Sequence, residues 1–121
     1  MYLNEYIIIK KRDVYGALFE NMIIVDLIKN YNAANTHPVL SYFRDSNKKE
    51  IDLIIEYAGK VIPVEIKASQ TMDNRFFDAA IWFNDKITSH QKPIVIYGGD
   101  QLQKRSKGLV VPWNNVNYII D

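Results

Sequence analysis

Cysteine is absent from this 121-residue chain, which excludes disulfides, thiolate zinc sites, iron–sulfur clusters and cysteine nucleophiles together. Histidine is nearly absent. His37 and His90 lie far apart, and neither has a second histidine at i+3 or i+4, so local zinc-site spacing is missing. A metal would therefore be a hard ion held by carboxylates. No apolar run approaches the roughly 20 residues of a membrane span; the best, Met22 to Val25, stops at Asp26. The five glycines form no GxxxxGK(S/T) run, so there is no P-loop for ATP. An excess of one charge is missing too, with 15 Lys and Arg against 14 Asp and Glu. Any nucleic-acid role must come from local placement and not from overall basicity. Asn4 and Glu5 stand where a secretory signal would build its charged and apolar regions, so the chain reads as cytoplasmic, with no membrane partner.

What is present is the composition of a globular protein, 48% hydrophobic and 24% charged, of a length suited to one domain. Residues 1–14 read as an N-terminal extension with an apolar patch, Tyr6 to Ile9, and a basic triplet, Lys10 to Arg12. The domain proper is expected over 15–121. Leu18, Phe19, Met22, Ile23, Val25, Leu27 and Ile28 recur at three-to-four spacing and predict a helix over about 15–31, with Asp26, Lys29 and Asn30 on its other side. Val39 to Arg44, Glu50 to Tyr57 and Val61 to Lys67, joined by a polar turn at 45–49 and a tight one at 58–60, predict a three-stranded antiparallel meander. A second helix is expected from Asp73, a suitable N-cap, to Phe83. Pro93 to Tyr97 and Leu109 to Trp113 suit buried strands flanking a polar, basic loop. The order implies an α/β fold, a sheet covered by helices on both faces.

Four charges stand where apolar residues are expected. Alternation in the third strand puts Glu65 and Lys67 on one face and Ile62, Val64 and Ile66 on the other. A Glu-x-Lys alone says little, since 5 Glu and 11 Lys in this chain produce one by chance about half the time. The preceding strand adds Asp52 inside an apolar run, where alternation groups it with Glu50, Ile54 and Glu56. Antiparallel pairing can bring Asp52 near Glu65 and Lys67. Glu20 lies on the apolar arc of the first helix with Ile23, Ile24 and Leu27. Buried charge is costly unless paired or metal-bound, and two carboxylates beside a lysine suit metal-assisted phosphodiester hydrolysis. Glu50 reads as solvated, though its shared face makes it a substitute for Asp52.

Around these residues, Lys48 and Lys49 are candidate phosphate contacts, as are Ser69 and Arg75, whose alternatives are a turn cap and a solvated helix residue. The basic groups at 10–12 and 104–107 would form a phosphate-tracking rim if they share the side of Asp52. Tyr42, Phe43, Trp82 and Trp113 read as core aromatics in preference to base-stacking ones.

The order Glu20 on a helix, then Asp52, then Glu65-Ile66-Lys67 on successive strands resembles the PD-(D/E)XK nuclease superfamily. More closely, YGALFENMIIVDLIKN, YFRDSNKKEIDLIIE and GKVIPVEIKAS resemble the nuclease-like domain found C-terminal to P-loop ATPases. The resemblance spans about residues 15–113. It implies a restriction-endonuclease-like αβββαβ core with a mixed sheet, Mg²⁺ or Mn²⁺ as cofactor, and DNA and an ATPase as partners. It makes Asp52, Glu65, the Ile66 carbonyl and Glu20 metal ligands, and Lys67 the catalytic lysine. No proline precedes Asp52, a departure common in that superfamily.

Overall fold

A computed structural model describes residues 14–88 and 91–120. Among them the order is α1 (Val14–Ala33), β1 (Val39–Arg44), β2 (Glu50–Tyr57), β3 (Lys60–Lys67), a 3₁₀ turn (Asn74–Phe77), α2 (Asp78–Ile87), β4 (Ile94–Tyr97), β5 (Gln103–Arg105), β6 (Gly108–Pro112), a second 3₁₀ turn (Trp113–Asn115) and α3 (Asn117–Ile120). The fold is α/β. One six-stranded mixed sheet runs β1-β2-β3-β4-β6-β5. The pairs β1/β2, β2/β3 and β5/β6 are antiparallel, and β3/β4 and β4/β6 are parallel. The predicted meander is present. The basic loop expected after β4 contains a strand of its own, β5, whose polar sequence Gln103-Lys104-Arg105 carries no apolar alternation to announce it.

Each face of the sheet has its own core. Phe19, Ile23, Ile24 and Leu27 of α1 pack with Leu53, Ile55, Val64, Ile66, Ile94, Ile96 and Val111. Opposite them, Phe77 packs with Val95, Tyr97 and Val110, and Phe83 of α2 packs with Ile51 and Ile54. Helices therefore cover both faces, as the apolar content of both sides of the strands requires. No helix of the described residues is long and apolar enough to cross a membrane.

Two details depart from simple periodicity. The first is in α1, where the sheet-facing arc takes Phe19, Ile23 and Leu27, but Leu18, Met22, Val25 and Ile28 are exposed. The helix is apolar on both sides, and the expected polar outer face is limited to a few positions. The second is in β2. Ser41 pairs with Ile54 and Phe43 with Ile51, so Asp52 and Leu53 together oppose the single residue Tyr42. This is a β-bulge, and it places Ile51 and Ile54, three residues apart, in the same apolar cluster.

The β2–β3 hairpin closes with Tyr57 paired to Lys60, so its loop is the two residues Ala58 and Gly59, both at positive φ, 53° and 77°. That is the type I′ arrangement that matches strand twist. Glycine adopts it freely, whereas alanine in the left-handed region is strained by roughly 1 kcal/mol or more. Ala58→Asn is accordingly expected to raise unfolding stability by about 0.5–1 kcal/mol in urea titration; an unchanged or lowered midpoint would contradict the turn assignment.

Candidate active site

The bulge at Asp52 builds the site. The β2/β3 ladder holds from Tyr57↔Lys60 as far as Leu53↔Val64. The next carbonyl of β2 would belong to Ile51, but the bulge carries Ile51 off to pair with Phe43 on β1. The N–H of Ile66 donates instead to Oδ2 of Asp52 at 2.9 Å. A carboxylate thus replaces a backbone carbonyl at the point where the strands part. In an extended strand the N–H and C=O of one residue project to the same edge, so the carbonyl of Ile66 is directed toward β2 as well.

Glu65 is next along β3, across from Asp52. Both carboxylates are buried, Asp52 3% and Glu65 4% exposed. Lys67 is more open. Its Nζ lies 3.8 Å from Oε2 of Glu65 and 5.7 Å from the centre of the Phe76 ring, so the ammonium is held between a carboxylate and an aromatic face on the α2 side of the sheet. Asp52, Glu65, the Ile66 backbone and Lys67 are therefore brought to one place by two adjacent strands.

Glu20 is buried on α1, as its position on the apolar arc requires. That helix, however, covers the face opposite Lys67. Among the described residues no three acidic or histidine side chains are grouped so as to hold one metal ion. The two strand carboxylates and the directed carbonyl are hard oxygen donors, and a Mg²⁺-type ion is usually held by one or two carboxylates with water completing its shell. These residues fit such an ion. Glu50 Oε1 pairs with Arg44 Nε at 3.4 Å, and its side chain is 29% exposed.

The surrounding candidates divide. Lys48 and Lys49 lie in the β1–β2 turn, which is at the same end of the sheet as Lys67 because β2 and β3 run antiparallel. Asp45 Oδ1 holds that turn by accepting from the N–H groups of Asn47 and Lys49, and the Lys49 ammonium sits 5.6 Å from the Trp82 ring centre. Ser69 acts as a turn cap, its Oγ donating to the Thr71 carbonyl at 2.8 Å. Arg75 is engaged by Asp73, with Nη2 2.6 Å from Oδ2.

The basic segment at 104–107 precedes β6, at the opposite end of the parallel strands from Lys67. It does not complete a rim around the site. Arg105 is occupied there by Gln103 and Asn74. The triplet at 10–12 and His90 lie outside the described residues. Trp113, expected in the core, is 42% exposed beside Gln70, Gly98 and Gly99. It follows the last sheet residue of β6, where a strand's apolar run no longer implies burial.

Two predictions follow from these bonds. Asp52→Ala strands the Ile66 N–H and is expected to cost about 1–3 kcal/mol, whereas Asp52→Asn keeps an acceptor and costs under about 1 kcal/mol. Equal losses in denaturant titration would refute the replacement of a ladder bond by the carboxylate. The Arg75 side chain, with its backbone N–H, holds the exposed Asp73 carboxyl down to about 2. Because the folded value lies below the ordinary one, the cap contributes fully above the unfolded value of 3.8 and is lost as pH falls through about 2. A carboxyl-carbon NMR titration of Asp73 should show that low midpoint, returning to the ordinary range in Arg75→Ala.

No curated protein and no solved structure matches the chain. A family model does, over residues 15–116, which include both helices that cover the sheet and every residue of the site. The chain belongs to the family described as Domain of unknown function (DUF4143).

Proposed function

We propose that this chain is a metal-dependent nuclease domain that hydrolyses phosphodiesters of DNA through a PD-(D/E)XK-type site. The observation that carries the reading is the replacement of a ladder bond at Asp52, which parts β2 from β3 and sets one buried carboxylate beside another, with Lys67 at its edge. Asp52, Glu65 and the Ile66 carbonyl would hold Mg²⁺ or Mn²⁺. When bound, such an ion supplies Lewis-acid polarisation of the phosphate and lowers the pKa of a water.

The chain's own groups do the rest. Asp52 is oriented by the hydrogen bond it accepts from the Ile66 N–H. Glu65 and Lys67 balance one another's charge before substrate arrives. Lys67, the more exposed partner, is positioned to donate to a phosphate oxygen as negative charge builds. Lys48 and Lys49 lie at the correct end of the sheet to meet the flanking backbone. The ATPase partner suggested by the sequence blocks belongs to the same proposal.

A second reading is a non-catalytic module that docks on an ATPase or binds nucleic acid without cutting it. It is favoured by Ser69 and Arg75, whose polar groups are engaged within their own turns. Plasmid and single-stranded DNA incubated with the protein in Mg²⁺ or Mn²⁺ separate the two. Cleavage lost at least about a hundredfold in Asp52→Ala, Glu65→Ala and Lys67→Ala is expected, in line with the cost of removing a charge-stabilising group. No cleavage, together with no Mn²⁺ heat in calorimetry, would reject the nuclease reading in favour of the second.

A further inference from the structure

The outer side of α1 is apolar and uncovered among the described residues. Val14, Tyr15, Leu18, Met22, Val25 and Ile28 are between 38% and 69% exposed, although the helix already buries its other side against the sheet. Isolated exposed apolar residues need no explanation, but a continuous stripe of them marks a contact surface. Tyr15, Leu18, Met22 and Val25 follow the 3-4-3 spacing of a helix-pairing seam.

We propose that this stripe is a self-pairing surface, on which a second copy of the chain seats antiparallel about a two-fold axis near Asn21 and Met22. The spacing is its own complement under that operation. Tyr15 faces Ile28 of the other copy, Leu18 faces Val25, and the two Met22 side chains meet at the axis. This is the isologous arrangement expected of a symmetric dimer.

Charge placement agrees. Asp26 and Lys29 are the charged residues nearest the stripe. Antiparallel pairing sets the two Lys29 side chains roughly 20 Å apart at a rise of about 1.5 Å per residue, where screening is strong; a parallel pairing would set each against its own copy. The area is also adequate. If a large exposed side chain presents about 150–200 Å², the stripe offers on the order of 500–600 Å² per copy, which brings a facing pair to the lower end of stable interfaces, about 1,200 Å² in total. A reversible dimer, with a dissociation constant of about 1–100 μM, is the expected strength for such an interface. The inference stands apart from the proposed activity.

The absence of native cysteine makes the test direct. In Met22→Cys the new thiols meet at the axis, and mild oxidation should give a disulfide-linked dimer, while Lys86→Cys on the exposed side of α2 should not cross-link. Sedimentation from about 1 to 200 μM should show monomer passing to dimer across the range given above. Met22→Glu, which sets like charges together, should weaken the dimer at least about tenfold without altering the circular dichroism. A chain that stays monomeric throughout, as it would if another part of the same chain covered the stripe, overturns the proposal. So does a dimer that Met22→Glu leaves intact, or a Met22→Cys protein that fails to cross-link. If Met22→Glu does not fold, Leu18→Gln and the cysteine result decide.

Discussion

A single hydrogen bond, from the N–H of Ile66 to the carboxylate of Asp52, reconciles two demands that otherwise conflict. Strands β2 and β3 must pair along most of their length to build the sheet, and they must part at one end to make room for polar side chains. A buried N–H left unpaired where they part would cost free energy comparable to a lost hydrogen bond. The bulge in β2 removes the Ile51 carbonyl from the ladder, and the Asp52 side chain takes its place. The site is thus a controlled interruption of the sheet.

Charge is distributed around that interruption by depth. Asp52 and Glu65 sit below the surface, and Lys67 reaches it from the same strand as Glu65. Burying carboxylates is unfavourable unless each is compensated. Here the compensation comes from a backbone donor for one and from a nearby ammonium for the other, with the Phe76 ring steadying the ammonium. Glu20 is buried on α1, the helix that packs on the sheet face carrying Leu53 and Ile66.

The elements were legible because their periods were distinct. The three-to-four recurrence in 15–31 and the short β-branched runs at 39–44, 50–57 and 61–67 each point to one backbone geometry. β5 was not legible, since Gln103, Lys104 and Arg105 form a polar edge strand held by its pairing with β6. Nor was the exposure of Leu18, Met22, Val25 and Ile28, because a helix apolar all round does not reveal which side meets the sheet. The close placement of Asp52 and Glu65 could be anticipated from a short hairpin between neighbouring strands. The loss of alternation between Asp52 and Ile54 could not, because a bulge adds one residue without a local sequence signature.

The amino-acid sequence by itself determined the chemistry available: no thiols, no histidine cluster, hard oxygen donors and a lysine, carried on an α/β pattern of elements. Those properties belong to residue types and to local periodicity, and they do not depend on how distant segments meet. Tertiary structure decided which of the charges converge. It placed Asp52 against Ile66, moved the 104–107 segment to the far end of the sheet and left one side of α1 open among the described residues. Each of these outcomes depends on strand order and register, which arise when segments far apart in sequence pack together, and a one-residue change of register moves every side chain to the other face.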